Sequence, residues 1–146
     1  MTERTEDTLP DEGTYTLLIR VGEPTTVGVG ALGDICFDDA LYAYTGSAFG
    51  AGGLSRIDRH ARVASGENDA RHWHVDYLLG CDASTLVAAY VTPQDAECKV
   101  ARSLDGEPVP RFGCSDCSCD AHLKRTTRDA VEDAYAERDA SVRRFR

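Results

Sequence analysis

A short basic segment in an acidic chain is the first candidate for chemistry. Between residues 51 and 66 there are three arginines and one histidine against a single acid, Asp58, although the whole chain carries a formal net charge of -9. Arg56 and His60 are four residues apart, so they share one face if the segment is helical. A glycine-rich loop, GSAFGAGG at 46–53, precedes it. A helix that begins behind such a loop is a candidate phosphate site.

The same loop and helix supply candidate substrate contacts. Backbone amides at the start of a helix and arginine side chains both bind phosphate oxygens. Gly46, Ser47 and Arg59 are the residues that we expect to contact the substrate. The alternative is an ordinary surface helix with solvated arginines, and the segment alone favours that alternative.

A carboxylate lies in line with an apolar helical stripe further along the chain. The positions i, i+3, i+4 and i+7 of this stripe are Glu97, Val100, Ala101 and Leu104. A carboxylate that faces inward needs a cation or a hydrogen-bond donor, because its unpaired burial is costly. A bound metal ion or Arg56 would meet that need. The alternative is a glutamate at the wet edge of the stripe, with its carboxylate in solvent.

Two tyrosines lie in strand-like segments. Tyr15 ends the string GTY, and Tyr44 begins the string YTG. Aromatic residues on paired strands usually just pack a sheet. Spacing alone therefore assigns these tyrosines no chemistry.

Strands and helices must bring these side chains together. Apolar β-branched and aromatic runs predict strands at 14–21, 34–37, 41–45 and 85–91. Apolar positions at helical spacing predict helices at 54–65 and 71–79. A third helix is predicted to start at the string TPQD, 92–95, with threonine as its cap and proline in its first turn, and to run to about residue 104.

Residues 28–33, GVGALG, match the glycine pattern of dinucleotide-binding proteins. That site needs a helix to begin at the third glycine, whereas 34–37 predicts a strand. Position 53 is also a glycine, where an acid would bind the ribose. We therefore interpret 28–33 as a turn.

Length and composition fit one folded domain with charged ends. The chain has 146 residues, of which 42% are hydrophobic, enough for one core. Residues 1–12 predict a disordered acidic tail, 13–123 the domain, and 124–146 a charged tail interpreted as a loosely docked helix. The apolar face of that helix would comprise Val131, Ala134, Tyr135, Val142 and Phe145.

The charge balance bears on location and partners. No apolar run approaches the ~20 residues of a membrane helix, and the N-terminus resembles no targeting peptide, so we expect a cytoplasmic protein without a membrane partner. The aspartate-rich, lysine-poor composition fits a salt-adapted, halophilic cytosol. Negative charge disfavours nucleic acid at low salt, but the Debye length falls to ~3 Å near 1 M salt, so DNA is not excluded. The oligomeric state stays open.

Six cysteines in such a chain favour thiols or a metal site over disulfides. One cluster has the pattern C-x2-C-x-C-x2-H and comprises Cys114, Cys117, Cys119 and His122. Four such ligands suit a tetrahedral structural Zn²⁺, although two ligands one residue apart rarely both reach one ion, and His72 and His74 could supply a second pair. The alternatives are a turn of reduced cysteines or a redox-sensitive thiol pair. The scattered cysteines, Cys36, Cys81 and Cys98, are expected to be small buried residues.

In order along the chain, the tyrosine strings, the Arg56 and His60 helix and Glu97 resemble the GIY-YIG nuclease superfamily. The strings YTGSA, RIDRH, HWHVDYLL, AEC and FGCSDCSCDAHL resemble its small branch related to endonuclease III, the domain of unknown function family 123. The resemblance covers about 13–123. Both motif isoleucines are threonines here, Thr14 and Thr45, and an extra turn-and-strand segment separates the motifs. Threonine keeps a β-branched side chain, so the change affects packing more than chemistry.

The resemblance implies an α+β fold, in which helices flank a small, mostly antiparallel sheet. It also implies divalent-metal-dependent hydrolysis of phosphodiester bonds in DNA, with DNA repair as the process and a repair protein as a partner. Glu97 would bind Mg²⁺ or Mn²⁺, and Arg56 would neutralise charge on the phosphate. Tyr44 would position water or phosphate.

The resemblance gives the proton transfer two candidates. Tyr15 would orient or deprotonate the attacking water, and His60 is the alternative proton carrier. A free tyrosine has a pKa near ~10, so Tyr15 is a base at neutral pH only if a metal ion or an arginine lowers that value. The alternatives to an enzyme are a noncatalytic DNA-binding accessory module and a zinc-stabilised protein-interaction domain.

Overall fold

Strand β1 (Gly13–Val21) lies in the middle of a six-stranded sheet in the computed structural model, which describes residues 12–49, 55–69, 74–109, 122–136, 138 and 140–145. All of its side chains except that of Arg20 are buried. Helices cover both faces of the sheet, so side chains on both sides of this strand are buried. Its sequence is therefore a continuous run of apolar residues and threonine and does not alternate between polar and apolar residues.

The other strands are β2 (Thr25–Gly28), β3 (Asp34–Phe37), β4 (Ala40–Ala48), β5 (Ser84–Thr92), β6 (Glu107–Pro108), β7 (Leu123–Thr126) and β8 (Ser141–Arg144). The order in the large sheet is β6-β7-β4-β1-β5-β8, and each pairing is antiparallel. Strands β2 and β3 form a separate antiparallel pair. The predicted α+β class and antiparallel sheet are confirmed.

Within the described ranges, two helices lie on each face of the large sheet. Helices α1 (Ser55–Ser65) and α2 (His74–Leu79) share a core with the odd-numbered side chains of β1. Helices α3 (Glu97–Ser103) and α4 (Arg128–Tyr135) pack on the opposite face, around Leu18 and Tyr90. None of the helices in the described ranges is long and apolar enough to cross a membrane.

The strands predicted from the sequence are confirmed as β1, β3, β4 and β5. Gly28 ends β2, and residues 29–33 form the turn with one 3-10 segment, Gly30–Leu32. Strand β3 follows, as the rejection of a dinucleotide site requires. Helix α1 agrees with the prediction for 54–65. Helix α2 agrees with the prediction for 71–79 from His74 onward, and 71–73 lie outside the described residues.

The start of α3 was predicted wrongly. Thr92, predicted as the helix cap, is the last residue of β5, and its hydroxyl donates to the backbone carbonyl of Arg138. The helix begins at Glu97. Ala96, the residue before the helix, makes no side-chain capping hydrogen bond, and its own amide donates to the hydroxyl of Thr14 on β1 at 2.9 Å.

The segment after Leu123 differs from the predicted loosely docked helix. It contributes β7, α4 and β8, and β8 adds an edge strand beside β5. Val131 and Tyr135 on α4 are fully buried, whereas Val142 lies on β8 and so cannot share their helical face. The arginine-rich β8 shows no helical stripe or apolar run, and its strand form depends on pairing with β5. The predicted acidic tail, 1–12, lies outside the described residues apart from Glu12.

The expectation that the scattered cysteines are buried is wrong. Cys36 is exposed on β3, and Cys81 and Cys98 are partly exposed. The β2–β3 pair stands outside the large sheet, so one of its faces is open to solvent at Cys36.

Candidate active site

Tyr15 and His60 form a buried polar pair between β1 and α1. The Tyr15 hydroxyl oxygen lies 2.9 Å from Nε2 of His60, and the two residues are only 2% and 1% exposed. Burial, with a smaller contribution from Tyr44, raises the pKa of Tyr15, although Arg56 opposes the shift. Burial lowers the pKa of His60 to about 4. At neutral pH the pair is therefore a neutral phenol and a neutral imidazole, and the tautomer of His60 decides which of the two atoms donates.

Gly46 leaves room for the Tyr15 ring. The two residues are register partners on the paired strands β4 and β1. A Cβ at position 46 would lie 2.6 Å from the Tyr15 oxygen and 2.7 Å from Cζ, well inside van der Waals contact. The structure thus gives Gly46, predicted as a substrate contact, a steric part in placing Tyr15.

Tyr44 lies beside this pair, on the face of β4 that Gly46 also occupies. Its ring centroid is 6.5 Å from that of His60, and the residue is 9% exposed. Burial raises the pKa of Tyr44, and the charges of Glu97 and Asp76 raise it further. The ring contact with His60 brings together residues of β4 and α1.

Arg56, the second residue of α1, reaches the end of β4 and the Tyr15 hydroxyl. Its Nη1 donates to the backbone carbonyl of Ser47 at 2.6 Å. Its charge and a hydrogen bond from its side chain both lower the pKa of Tyr15, against the larger effect of burial. Ser47, another predicted substrate contact, therefore holds the arginine through its carbonyl oxygen.

Arg59 pairs with a carboxylate that no sequence motif had singled out. Its Nη1 and Nη2 each donate to one oxygen of Asp76, both at 2.9 Å. The Asp76 side chain is fully buried on α2, and that of Arg59 is 17% exposed. A bidentate pair of this kind fixes α1 against α2, so the guanidinium predicted to contact substrate has a partner within the protein. An aspartate inside the apolar string HVDYLL is the signal that could have identified Asp76.

Glu97 is the first residue of α3, at the edge of its apolar stripe. Its side chain is 27% exposed, between the two alternatives that the sequence left open. Its Oε2 lies 3.3 Å from Nδ1 of His122, and Nδ1 makes no hydrogen bond at that distance. After the larger effect of burial, the charge of Glu97 also raises the pKa of Tyr44 and, to a smaller extent, that of Tyr15.

This carboxylate fits a hard divalent cation. Mg²⁺ keeps several waters and is commonly bound through one or two carboxylates together with substrate phosphates. Glu97 is partly exposed and offers two oxygens, of which one contacts His122. Within the described ranges, no three side chains of the His, Cys, Asp and Glu types form a metal-binding group. Glu97 alone, with water and substrate, would have to hold the ion.

The residues proposed for zinc fall into two groups. Cys114, Cys117, Cys119 and His72 lie outside the described residues. His74 is a partly buried residue that starts α2, and His122 is 4% exposed immediately before β7. The structure therefore brings His122 to Glu97 and leaves the zinc site a prediction.

The threonines at the two motif positions lie on the opposite side of the sheet from Tyr15. Thr14 donates to the Gln94 carbonyl at 2.8 Å as well as accepting from the Ala96 amide. Thr45 contacts Thr16 through their hydroxyl oxygens at 2.9 Å. Both hydroxyls are thus hydrogen-bonded in the core, where isoleucine could make no such contact.

The family model for Domain of unknown function DUF123 matches residues 14–143, a range that includes every described candidate residue. Neither curated proteins nor solved structures gave a match.

Proposed function

The chain belongs to the DUF123 family, and we propose that it is a GIY-YIG-type endonuclease that hydrolyses phosphodiester bonds in DNA with a divalent metal ion. The observation that carries the proposal is the buried contact between Tyr15 on β1 and His60 on α1, with the Arg56 guanidinium on the same helix hydrogen-bonded to the end of β4. An imidazole paired with a phenol can carry a proton, and a guanidinium and a partly exposed carboxylate can stabilise charge during phosphodiester hydrolysis.

Proton transfer is assigned to the tyrosine and histidine together. The raised pKa of Tyr15 makes a standing tyrosinate at neutral pH unfavourable. The hydroxyl instead takes a proton from the attacking water while passing its own to Nε2 of His60, 2.9 Å away. An anionic phosphate nearby favours the protonated imidazole. The hydroxide then attacks phosphorus, and the bond from phosphorus to the leaving sugar oxygen breaks. That oxygen takes a proton from solvent, and His60 returns its proton to solvent through Tyr15, which restores the starting pair.

Charge stabilisation is assigned to Arg56 and Glu97. The guanidinium neutralises the negative charge that grows on the phosphate oxygens, and its contact with the Ser47 carbonyl holds it in place. Glu97 would hold Mg²⁺ or Mn²⁺, which supplies Lewis-acid stabilisation of the same charge when bound. Tyr44 positions water or phosphate beside the Tyr15 and His60 pair.

The test is cleavage of a panel of labelled DNAs, comprising duplex, single-stranded, flap, junction and abasic substrates, in molar KCl with Mg²⁺ or Mn²⁺. Glu97→Ala and Arg56→Ala should each abolish cleavage and stay folded. Two matched controls, Glu23→Ala and Arg20→Ala, change exposed residues near the far end of β1 and should cleave like the parent. Cleavage retained in both site variants would refute the proposal.

The same panel separates the alternatives. DNA binding by folded parent protein without cleavage would indicate an accessory module. Neither binding nor cleavage would favour a protein-interaction domain, and zinc analysis of untagged protein would then test the cluster 114–122. The role in DNA repair and a repair-protein partner belong to the proposal and depend on which DNA structure is cleaved.

A further inference from the structure

A cleft of about 520 Å³ lies beside α1, between that helix and the strands β5 and β8. Its walls come from the helix residues Asp58, Ala61 and Arg62, from the first residues of β5, and from Arg143 and Phe145 at the C-terminal end of the chain. Pockets that bind small molecules have volumes of roughly 300–1,000 Å³. The cleft is therefore large enough for a ligand bigger than a single ion.

Helix α1 borders both the cleft and the candidate active site. Arg56 and His60 reach β4 and the Tyr15 hydroxyl, whereas Asp58 and Arg62, four residues apart, line the cleft. Residues four apart on a helix share a face, so the helix presents different side chains to the two places. A ligand in the cleft would not occupy the proposed catalytic centre.

The two acidic side chains of the cleft already have partners. Asp58 forms an ion pair with Arg143, whose guanidinium also lies over the ring of Phe145, 5.0 Å from its centroid. Glu67 accepts a hydrogen bond from the Ser65 hydroxyl at 3.4 Å. The lining thus carries two arginines and two carboxylates. This balance of charge disfavours a bare polyanion as the ligand.

The polar groups of the cleft that remain available include two hydrogen-bond donors. Arg62 is exposed in the last turn of α1, and its guanidinium makes no ion pair or hydrogen bond with any residue that the structure describes. The hydroxyl of Ser84 is buried and likewise has no partner in the described part of the chain. Such buried polar atoms are rare in proteins, and a bound ligand is one way to satisfy them. A guanidinium is a strong donor to phosphate oxygens.

The rest of the lining includes an apolar wall. Leu86 is only 5% exposed, and Ala61, Ala64 and Phe145 are partly buried against the same core. Pockets with an apolar wall and a few placed polar groups bind ligands that have both characters. A nucleotide has an anionic phosphate at one end and a neutral planar base at the other, so it matches this lining better than an inorganic ion does.

We infer that the cleft between α1 and β8 binds a nucleotide, with its phosphate on Arg62, a further hydrogen bond from Ser84, and its base on the apolar wall. The inference goes beyond the proposed function and does not rest on it, because the cleft is separate from the Tyr15 and His60 pair. The nucleotide is either free or one unit of a nucleic-acid strand, and the same groups bind it in both cases.

The test is a titration of the ¹⁵N-labelled full chain with each common deoxynucleoside 5′-monophosphate, in EDTA, followed by NMR of the backbone amides. The amides of residues 61–67, 84–86 and 143–145 should shift and saturate with at least one monophosphate. Thymidine and inorganic phosphate each lack one half of the ligand and should bind at least about tenfold more weakly. A short single-stranded oligonucleotide that binds the cleft more tightly than the monophosphates identifies a unit of a strand as the source, and one that binds more weakly identifies the free nucleotide.

Two variants with matched controls separate binding from stability. Arg62→Gln should weaken the affinity about tenfold, whereas Arg102→Gln, which changes an exposed arginine in the last turn of α3 on the other face of the sheet, should leave it unchanged. Ser84→Ala should weaken the affinity about fivefold without lowering the free energy of unfolding in urea, because its hydroxyl has no described partner in the protein. Ser141→Ala removes a second such hydroxyl, outside the cleft, and should leave the affinity unchanged.

Several results would overturn the inference. One is the absence of shifts around the cleft with every monophosphate. Others are a parent-like affinity in both Arg62→Gln and Ser84→Ala, and an equal loss in Arg102→Gln, which would indicate only long-range attraction by charge. Shifts centred on Tyr15, Tyr44 and His60 would assign the nucleotide to the candidate active site and overturn the separate cleft. Nucleotide binding in the cleft of a protein that cleaves no DNA would refute the nuclease alone.

Discussion

Gly46→Ala should displace the Tyr15 ring and disrupt the site from the strand beneath it. The new Cβ would lie 2.7 Å from Cζ of Tyr15, whereas carbon atoms in contact prefer about 3.5–4.0 Å, so the ring must move by about 1 Å. The hydroxyl is 2.9 Å from Nε2 of His60, and a hydrogen bond weakens beyond about 3.2 Å. Overpacking costs about 1–3 kcal/mol and the lost buried hydrogen bond about 1 kcal/mol more.

The expected result is a loss of about 2–4 kcal/mol in the free energy of unfolding, measured in urea, and about a 100-fold loss of cleavage rate. Gly22→Ala is the matched control, because its Cβ would meet the nearest atom, the Ala83 carbonyl oxygen, at an ordinary 3.7 Å. In a Tyr15→Leu background, Gly46→Ala should cost much less, since the ring is gone. A Gly46→Ala protein as stable and as active as the parent would refute the steric reasoning.

Three further predictions concern groups around the site. The pKa of His60 is lowered to about 4 from an ordinary 6.5, so on acidification the unfolded chain binds the extra proton before the folded chain does. The free energy of unfolding should therefore be full above pH 6.5 and fall by about 3 kcal/mol as the pH drops to 4. Urea titrations should show this slope in the parent, and an equal slope in His60→Gln would contradict the prediction. Asp76→Ala leaves the Arg59 guanidinium, 17% exposed, without its bidentate partner and should lower the free energy of unfolding in urea by about 2–4 kcal/mol. Asp76→Glu keeps the charge, so an equal loss in that variant would show that side-chain length matters more than the charge. Thr14→Val removes the acceptor of the Ala96 amide and should cost about 1–3 kcal/mol; unchanged stability would show that water replaces the hydroxyl.

The central strands and α1 were predictable because their signals are local. Strand β1 is a run of β-branched and apolar residues, and such a run has few other stable forms. Helix α1 carries apolar residues at helical spacing, and its excess of basic side chains is enough to identify Arg56 and His60 as candidates from the sequence. The family relation was predictable too, since the strings that carry it are long.

The C-terminal third and the start of α3 were not predictable in the same way. Strand β8 has an arginine-rich sequence, SVRR, that forms a strand because β5 offers it an edge. Thr92, the cap expected from the sequence, ends β5 and donates to the Arg138 carbonyl, so α3 begins at Glu97 instead. In both cases the deciding contact comes from a residue far away in sequence, which no local pattern reports.

For the site, the sequence by itself determined which side chains are present and the order in which they come. Tertiary structure decided which residues they contact. Arg59 pairs with Asp76, Gly46 lies against the Tyr15 ring, and His122, from the cysteine-rich string, lies beside Glu97. The physical reason is that a buried charge or hydroxyl must be paired wherever the chain places it. Pairing depends on distances across the fold, and spacing along the chain does not contain those distances.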